Sequence, residues 1–150
     1  MANITINEAS EKEIPIILEL LYDLGRPKPR NDSDIDSFKK LVKKYITDSD
    51  KQIFVGVLDD TKIIGMVSMM FLSRLNRDTL EMYIPELVVL EKYRNQGIGK
   101  KIIDFCIALA KEKNCHRIRL ESGNQRKESH QFYKSLGFEQ SAFSFTKNLD

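Results

Sequence analysis

The sequence has no tryptophan, two cysteines, two histidines, four prolines and seven glycines among its 150 residues. Two cysteines, Cys106 and Cys115, are too few for a disulfide framework, and both read as buried or inert thiols. A chain of this length buries roughly 68–70% of the surface its unfolded form exposes. It therefore needs neither a disulfide nor a metal staple, and no metal is expected. No uninterrupted apolar run approaches the ~20 residues of a membrane helix, so no such helix is expected. The start, Met1 to Glu8, lacks a basic end followed by an apolar stretch, so no signal peptide is expected. Charge of one sign is also missing. Lys+Arg 24 against Asp+Glu 22 leaves +2, with a pI near 8.5. That balance argues against a dedicated nucleic-acid binder, although it permits a small basic pocket for an anionic ligand. No linker, repeat or low-complexity tract interrupts the chain. A single cytoplasmic domain over 1–150 is expected.

The apolar residues supply the order of elements. Ile4 and Ile6 alternate with polar neighbours, as in a short strand. Ser10 and Glu13 have capping-box spacing, and Ile14, Ile17, Leu18, Leu21 and Leu24 follow at helical spacing to Gly25. Pro15 sits late for a first turn, so this helix begins at Ile14 or carries a kink. A second helix is predicted from Ser33 to Ile46, with Ile35, Phe38, Val42 and Tyr45 as its stripe. Two apolar runs, Ile53 to Leu58 and Ile63 to Leu72, read as a hairpin turning at Asp59 to Lys62. A strand region from Leu80 to Leu90 and a helix from Gly97 to about Lys113 come next. A strand from Arg117 to Leu120 and a helix from Lys127 to Leu136 follow. Alternating Phe143, Phe145 and Leu149 predict a final strand. The order β-α-α-β-β-β-α-β-α-β implies an α/β fold, with one mixed, mostly antiparallel sheet and helices on both faces.

One stretch carries chemistry. Leu87, Val88 and Val89 lead from an apolar strand into the turn Arg94-Asn95-Gln96-Gly97-Ile98-Gly99-Lys100, which opens a helix. A helix start leaves backbone N–H groups unpaired, and the helix dipole adds partial positive charge. Glycines at 97 and 99 let a phosphate approach those donors. Arg94, Lys100 and Lys101 add formal charge. The dinucleotide fingerprint needs a third glycine where Ile102 stands, and the nucleoside-triphosphate loop needs Ser or Thr where Lys101 stands. Both are excluded.

The turn resembles the acyl-CoA loop of the GNAT superfamily of N-acetyltransferases, Gln/Arg-x-x-Gly-x-Gly/Ala. His130-Gln131-Phe132-Tyr133-Lys134-Ser135-Leu136-Gly137-Phe138 is similar to that family's closing helix and strand, and the element order agrees along essentially the whole chain. The resemblance implies acetyl-CoA as acetyl donor. Its pantetheine arm would pair with the main chain of Leu87, Val88 and Val89, and its pyrophosphate would lie on Arg94, Asn95, Gln96, Gly97, Ile98, Gly99 and Lys100. The arm needs a gap in the sheet. Pro85, which lacks an N–H, marks either such a break or a simple strand start.

The implied reaction is direct attack of an amine on the acetyl thioester. An alkyl amine with a pKa near 10 must lose a proton, and a leaving thiolate gains from a proton donor. Tyr133 matches the family's acid. Glu86, a carboxylate within an apolar strand, is a candidate base, acting through water or orienting the amine; a structural carboxylate bonded to amides is the alternative. The family's frequent asparagine is Arg126 here, and Asn124 two residues earlier reads as a helix cap. His130 shares a helix face with Tyr133, and is assigned no catalytic part. Acceptor recognition would fall to Leu24 to Asp36 and Ser73 to Tyr83, whose mixed charges choose no substrate. A small-molecule primary amine is the leading expectation. A protein N-terminus or lysine, and a catalytically silent CoA-binding regulatory module, are the alternatives. A homodimer is common among similar proteins, and the sequence leaves the oligomeric state open.

Overall fold

The computed structural model describes residues 3–150. They fall into two compact units, one ending at Arg119 and a smaller one from Leu120 to Asp150. In the larger unit, strand β1 spans Ile4–Glu8. Ser10 and Glu13 then form the expected capping box around a single 3-10 turn, Glu11–Glu13. Helix α1 runs Ile14–Asp23, so Pro15 falls in its first turn, where its missing N–H costs nothing. Helix α2 is Asp32–Thr47, with the Asn31 side chain accepting the Asp34 N–H as its cap. The hairpin is β2, Lys51–Leu58, and β3, Lys62–Arg74.

The strand region beyond it is broken in two. Strand β4 covers Arg77–Ile84, and a three-residue β5 covers Leu87–Val89. Pro85 lies in the break, because a residue with no N–H cannot continue the ladder. Helix α3 spans Ile98–Glu112 and strand β6 spans Cys115–Leu120.

The sheet runs β1-β2-β3-β4-β6, and β5 pairs only with β3. Every pairing of β3 is antiparallel. Strands β4 and β6 advance together: Leu80 donates its N–H to Asn114, and Glu81 then meets Arg117 and Arg119. The fold is thus an open, mixed, six-stranded sheet. Ile53, Val55, Met66 and Val88 pack against Ile14, Ile17, Leu18 and Leu20 of α1 and Val42 of α2. The alternate residue Phe54 faces the other way and meets Phe105 of α3, with ring centroids 4.7 Å apart. Helices therefore cover both faces. Burying a side chain such as Ile17 or Leu20, both fully enclosed, contributes roughly 1.5–3 kcal/mol each.

In the smaller unit, α4 is Lys127–Ser135. Gly137 (φ 91) closes it in the left-handed conformation. Phe138 N–H returns to the Tyr133 carbonyl at 3.1 Å, the expected C-terminal stop. The final strand expected from Phe143, Phe145 and Leu149 does not form. Those side chains are 83%, 94% and 92% exposed, and residues 138–150 hold no secondary structure. Alternation gives a strand one apolar face, but a strand also needs a partner edge for its backbone groups, and this tail pairs with none.

Candidate active site

Strand β5 is one-sided. Glu86 accepts the Ser68 N–H at 2.9 Å, and Leu90 donates to the Ile64 carbonyl at 2.9 Å. Backbone direction alternates along a strand, so the even residues face β3, and Leu87 and Val89 turn their N–H and C=O groups away from it. On that far side β6 pairs with β4 and not with β5. The sheet is therefore parted beside β5. Arg94 donates Nε to the Val89 carbonyl at 2.8 Å, which leaves the Leu87 groups and the Val89 N–H along the gap.

Gly65 holds β5 in place, a role with no turn or motif to flag it in the sequence. A Cβ there would lie 2.8 Å from the Val88 carbonyl oxygen. Gly65→Ala is expected to push β5 outward and cost about 1–3 kcal/mol, the range for overpacked cores. Denaturant unfolding measures that loss, and a matching fall in acetyl-CoA affinity is expected with it.

The turn after β5 presents donors. Asn95 (φ 61) and Gly97 (φ 82) both take left-handed conformations, and Gly97 is the N-cap of α3. The first bond of the helix runs from Lys101 N–H to the Gly97 carbonyl at 3.1 Å. The N–H groups of Ile98, Gly99 and Lys100 precede it, and no acceptor among the described residues takes them. The formal charges nearby are largely engaged. Arg94 pairs with Asp23 at 3.2 Å, Lys100 with Asp104 at 2.9 Å, and Lys101 Nζ reaches the Ile4 carbonyl at 3.3 Å. An anion here would therefore rest chiefly on backbone amides and the helix dipole.

Glu86 is clamped. Ser68, only 2% exposed, donates its hydroxyl to Glu86 Oε1 at 2.5 Å, and its oxygen accepts the Glu86 N–H at 3.1 Å. Arg26 donates Nε and Nη2 to Oε2 at 3.3 and 3.2 Å, and Nη2 also reaches the Pro85 carbonyl at 3.1 Å. Each carboxylate oxygen can accept more than one donor, so a water or an amine still has lone pairs to meet. Neither Ser68 nor Arg26 stands out in sequence, being 18 and 60 residues from Glu86.

In the smaller unit, Tyr133 stacks edge-on against Phe132 and Phe138, with centroids 5.2 and 5.8 Å away. His130 Nε2 hydrogen-bonds the Gly123 carbonyl at 2.8 Å. The N-cap of α4 is Arg126, with no side-chain cap, so Asn124 does not fill the capping place expected of it.

A one-sided strand, a break at Pro85 and a glycine-capped helix start thus lie in succession along the chain. The family model described as Acetyltransferase (GNAT) family matches residues 17–138. The chain belongs to the GNAT family of acetyltransferases. Among curated relatives, the aminoalkylphosphonate N-acetyltransferase of Salmonella typhimurium is 27% identical over 95% of this chain and 86% of its own. Among solved structures, a transcriptional regulator from Bacillus halodurans C-125 is 27% identical, with a TM-score of 0.88 over 98% of this chain and 100% of the other. The aminoglycoside N-acetyltransferase AAC(6')-Iy, in complex with CoA, is 16% identical with a TM-score of 0.84, covering 99% of this chain and 96% of that one; at that identity it shows the fold alone.

Membership makes the protein an enzyme, and implies acetyl-CoA as the donor. The residues fit that donor, since the open edge of β5 and the amides of Ile98 to Lys100 are what an amide-bearing arm and a pyrophosphate require. Among the described residues, no group of three His, Cys, Asp or Glu is placed to hold a metal, and no helix is long and apolar enough to cross a membrane. Cys106 is buried, and burial pushes its thiol up to about 12, so it is inert.

This GNAT acetyltransferase carries a second charged cluster that sequence reasoning passed over. Glu81 is fully buried. Arg74 Nη2 and Arg117 Nη2 meet its Oε2 at 2.7 and 3.0 Å, and Arg119 Nε meets Oε1 at 2.6 Å. Burial alone would push the Glu81 carboxyl up, but hydrogen bonds from Arg119, Arg74 and Arg117 outweigh it and hold it at about 2. A lowered carboxyl contributes stability above the ordinary carboxylate range, and loses it as the pH falls toward 2. Glu81→Gln is expected to cost about 2–3 kcal/mol near neutral pH, less than a fully enclosed pair because the arginines keep contact with water. Denaturant melts at falling pH should show the gap between variant and parent narrowing below about pH 4.

Proposed function

We infer that this acetyltransferase moves the acetyl group of acetyl-CoA to the primary amine of a small molecule. The parted sheet beside β5, continued by the unpaired amides of the α3 start, is the observation that carries the reading. Acetyl-CoA supplies an activated thioester carbonyl. Leu87 and Val89 hold its arm by main-chain pairing, while Val88, expected from the sequence to share that pairing, keeps its backbone on β3; the turn from Arg94 to Lys100 receives the pyrophosphate. Glu86, fixed by Ser68 and Arg26, orients the amine and takes its proton through a water. Tyr133, on the resemblance of its Phe-Tyr-x-x-x-Gly-Phe setting, gives a proton to the departing sulfur. The aminoalkylphosphonate acceptor named for the Salmonella typhimurium relative supports a small-molecule amine.

The regulator named among the similar structures supports a second reading, a CoA-binding module without turnover. Thiol release separates the two. Acetyl-CoA at 100 times its dissociation constant should stabilise the fold by about 2.7 kcal/mol, and a panel of amines should then release free CoA. Stabilisation without release on any amine or peptide would establish the second reading instead.

A further inference from the structure

The sheet face that carries Glu86 continues into a row of charge. Ser68 is bonded to Glu86, Met70 lies opposite Tyr83, and Leu72 lies opposite Glu81. Ser68, Met70 and Leu72 alternate on one face of β3, so Glu86, Tyr83 and Glu81 share it. Met66 on the same face packs on α1 and α2. Arg119 lies over the Tyr83 ring at 4.6 Å. Beyond it, Arg74 and Arg117 spend Nε and Nη2 on Glu81, yet their side chains remain 41% and 52% exposed. Together with Asn76, Arg77 and His116 they line a pocket of about 580 Å³, with no acidic side chain among those lining residues.

A guanidinium anchored by a buried carboxylate is already ordered before a ligand arrives, which lowers the cost of binding. Its remaining N–H groups match an oxyanion in geometry as well as charge. We propose that the acceptor is an elongated amine ending in an oxyanion (phosphate, phosphonate or carboxylate) and that Arg74, Arg77 and Arg117 bind that end. The proposal rests on Glu86 marking the point of acetyl transfer. Ser68 and Leu72, which face Glu86 and Glu81, are four residues apart on β3, about 13 Å at ~3.3 Å per residue. An acid joined to its amine by two or three carbons is too short to span that distance.

The test uses the whole protein with acetyl-CoA and amines of matched length ending in phosphate, carboxylate or hydroxyl, beside a short aminoalkyl acid. The oxyanion-ended amines are expected to show a KM at least about tenfold below the hydroxyl-ended one, and the short acid no such advantage. Whichever oxyanion gives the lower KM identifies the source. Arg77→Ala is expected to abolish the preference while leaving the KM for acetyl-CoA and the melting temperature unchanged, because Arg77 makes none of the Glu81 ion pairs. Turnover indifferent to the terminal group, or a preference that survives Arg77→Ala, overturns the proposal and leaves acetyl transfer standing. Absence of turnover on every amine overturns both.

Discussion

Replacing Gly97 by valine is expected to raise the dissociation constant for acetyl-CoA about 10- to 100-fold, equivalent to about 1.4–2.8 kcal/mol. Gly97 sits at φ 82, and a Cβ added there would meet nothing within 4 Å. The loss therefore comes from backbone conformation and from crowding of the incoming ligand, and no clash in the free protein contributes. A β-branched residue is strained in the left-handed region, and relief of that strain turns the peptide planes of the α3 start. The N–H groups of Ile98, Gly99 and Lys100 would then diverge from one anion. Calorimetric titration of parent and variant measures the change. Gly97→Ala should lose less, since a single methyl tolerates that conformation better. Equal affinity in all three proteins would remove the turn from the site.

Tyr133→Phe is expected to lower kcat by about 10²- to 10⁴-fold, the usual contribution of a positioned acid. Acetyl-CoA affinity should stay within about twofold, corresponding to a fraction of a kcal/mol. The ring contacts with Phe132 and Phe138 are kept by phenylalanine. A thiolate with a pKa around 8.5 leaves more readily as a thiol, so the deficit should shrink as the pH rises and the need for a donor falls. Stopped-flow thiol release across pH reads this directly. Full activity in Tyr133→Phe would assign the proton to another group.

Where a signal was local, the sequence showed it. Ser10 and Glu13 foretold the capping box, and Gly97 and Gly137 foretold a helix start and a helix stop, because each depends on residues a few positions apart. Pro85 allowed either a break or a strand start, and the structure has the break, between β4 and β5. The clamp on Glu86 was hidden, because it joins residues 18 and 60 positions away that have no spacing in common. Glu81 carried no local signal, because Arg74 reaches it from β3 and Arg117 and Arg119 reach it from β6, strands that only the fold brings to either side of β4. Gly65 lies inside the apolar run Ile63 to Leu72 with no local signal, and only the approach of the Val88 carbonyl excludes a side chain there. The tail erred in the opposite sense. Phe143 and Phe145 have the right period, but period alone supplies no partner strand.

Amide chemical shifts on titration with acetyl-CoA test the central claim most directly. Leu87, Val89, Ile98, Gly99 and Lys100 should shift and gain protection from exchange together, with one apparent affinity. Val88, whose backbone faces β3, should change far less. If those five amides were unmoved at saturating acetyl-CoA, or if Val88 moved in their place, the donor would lie elsewhere on the protein.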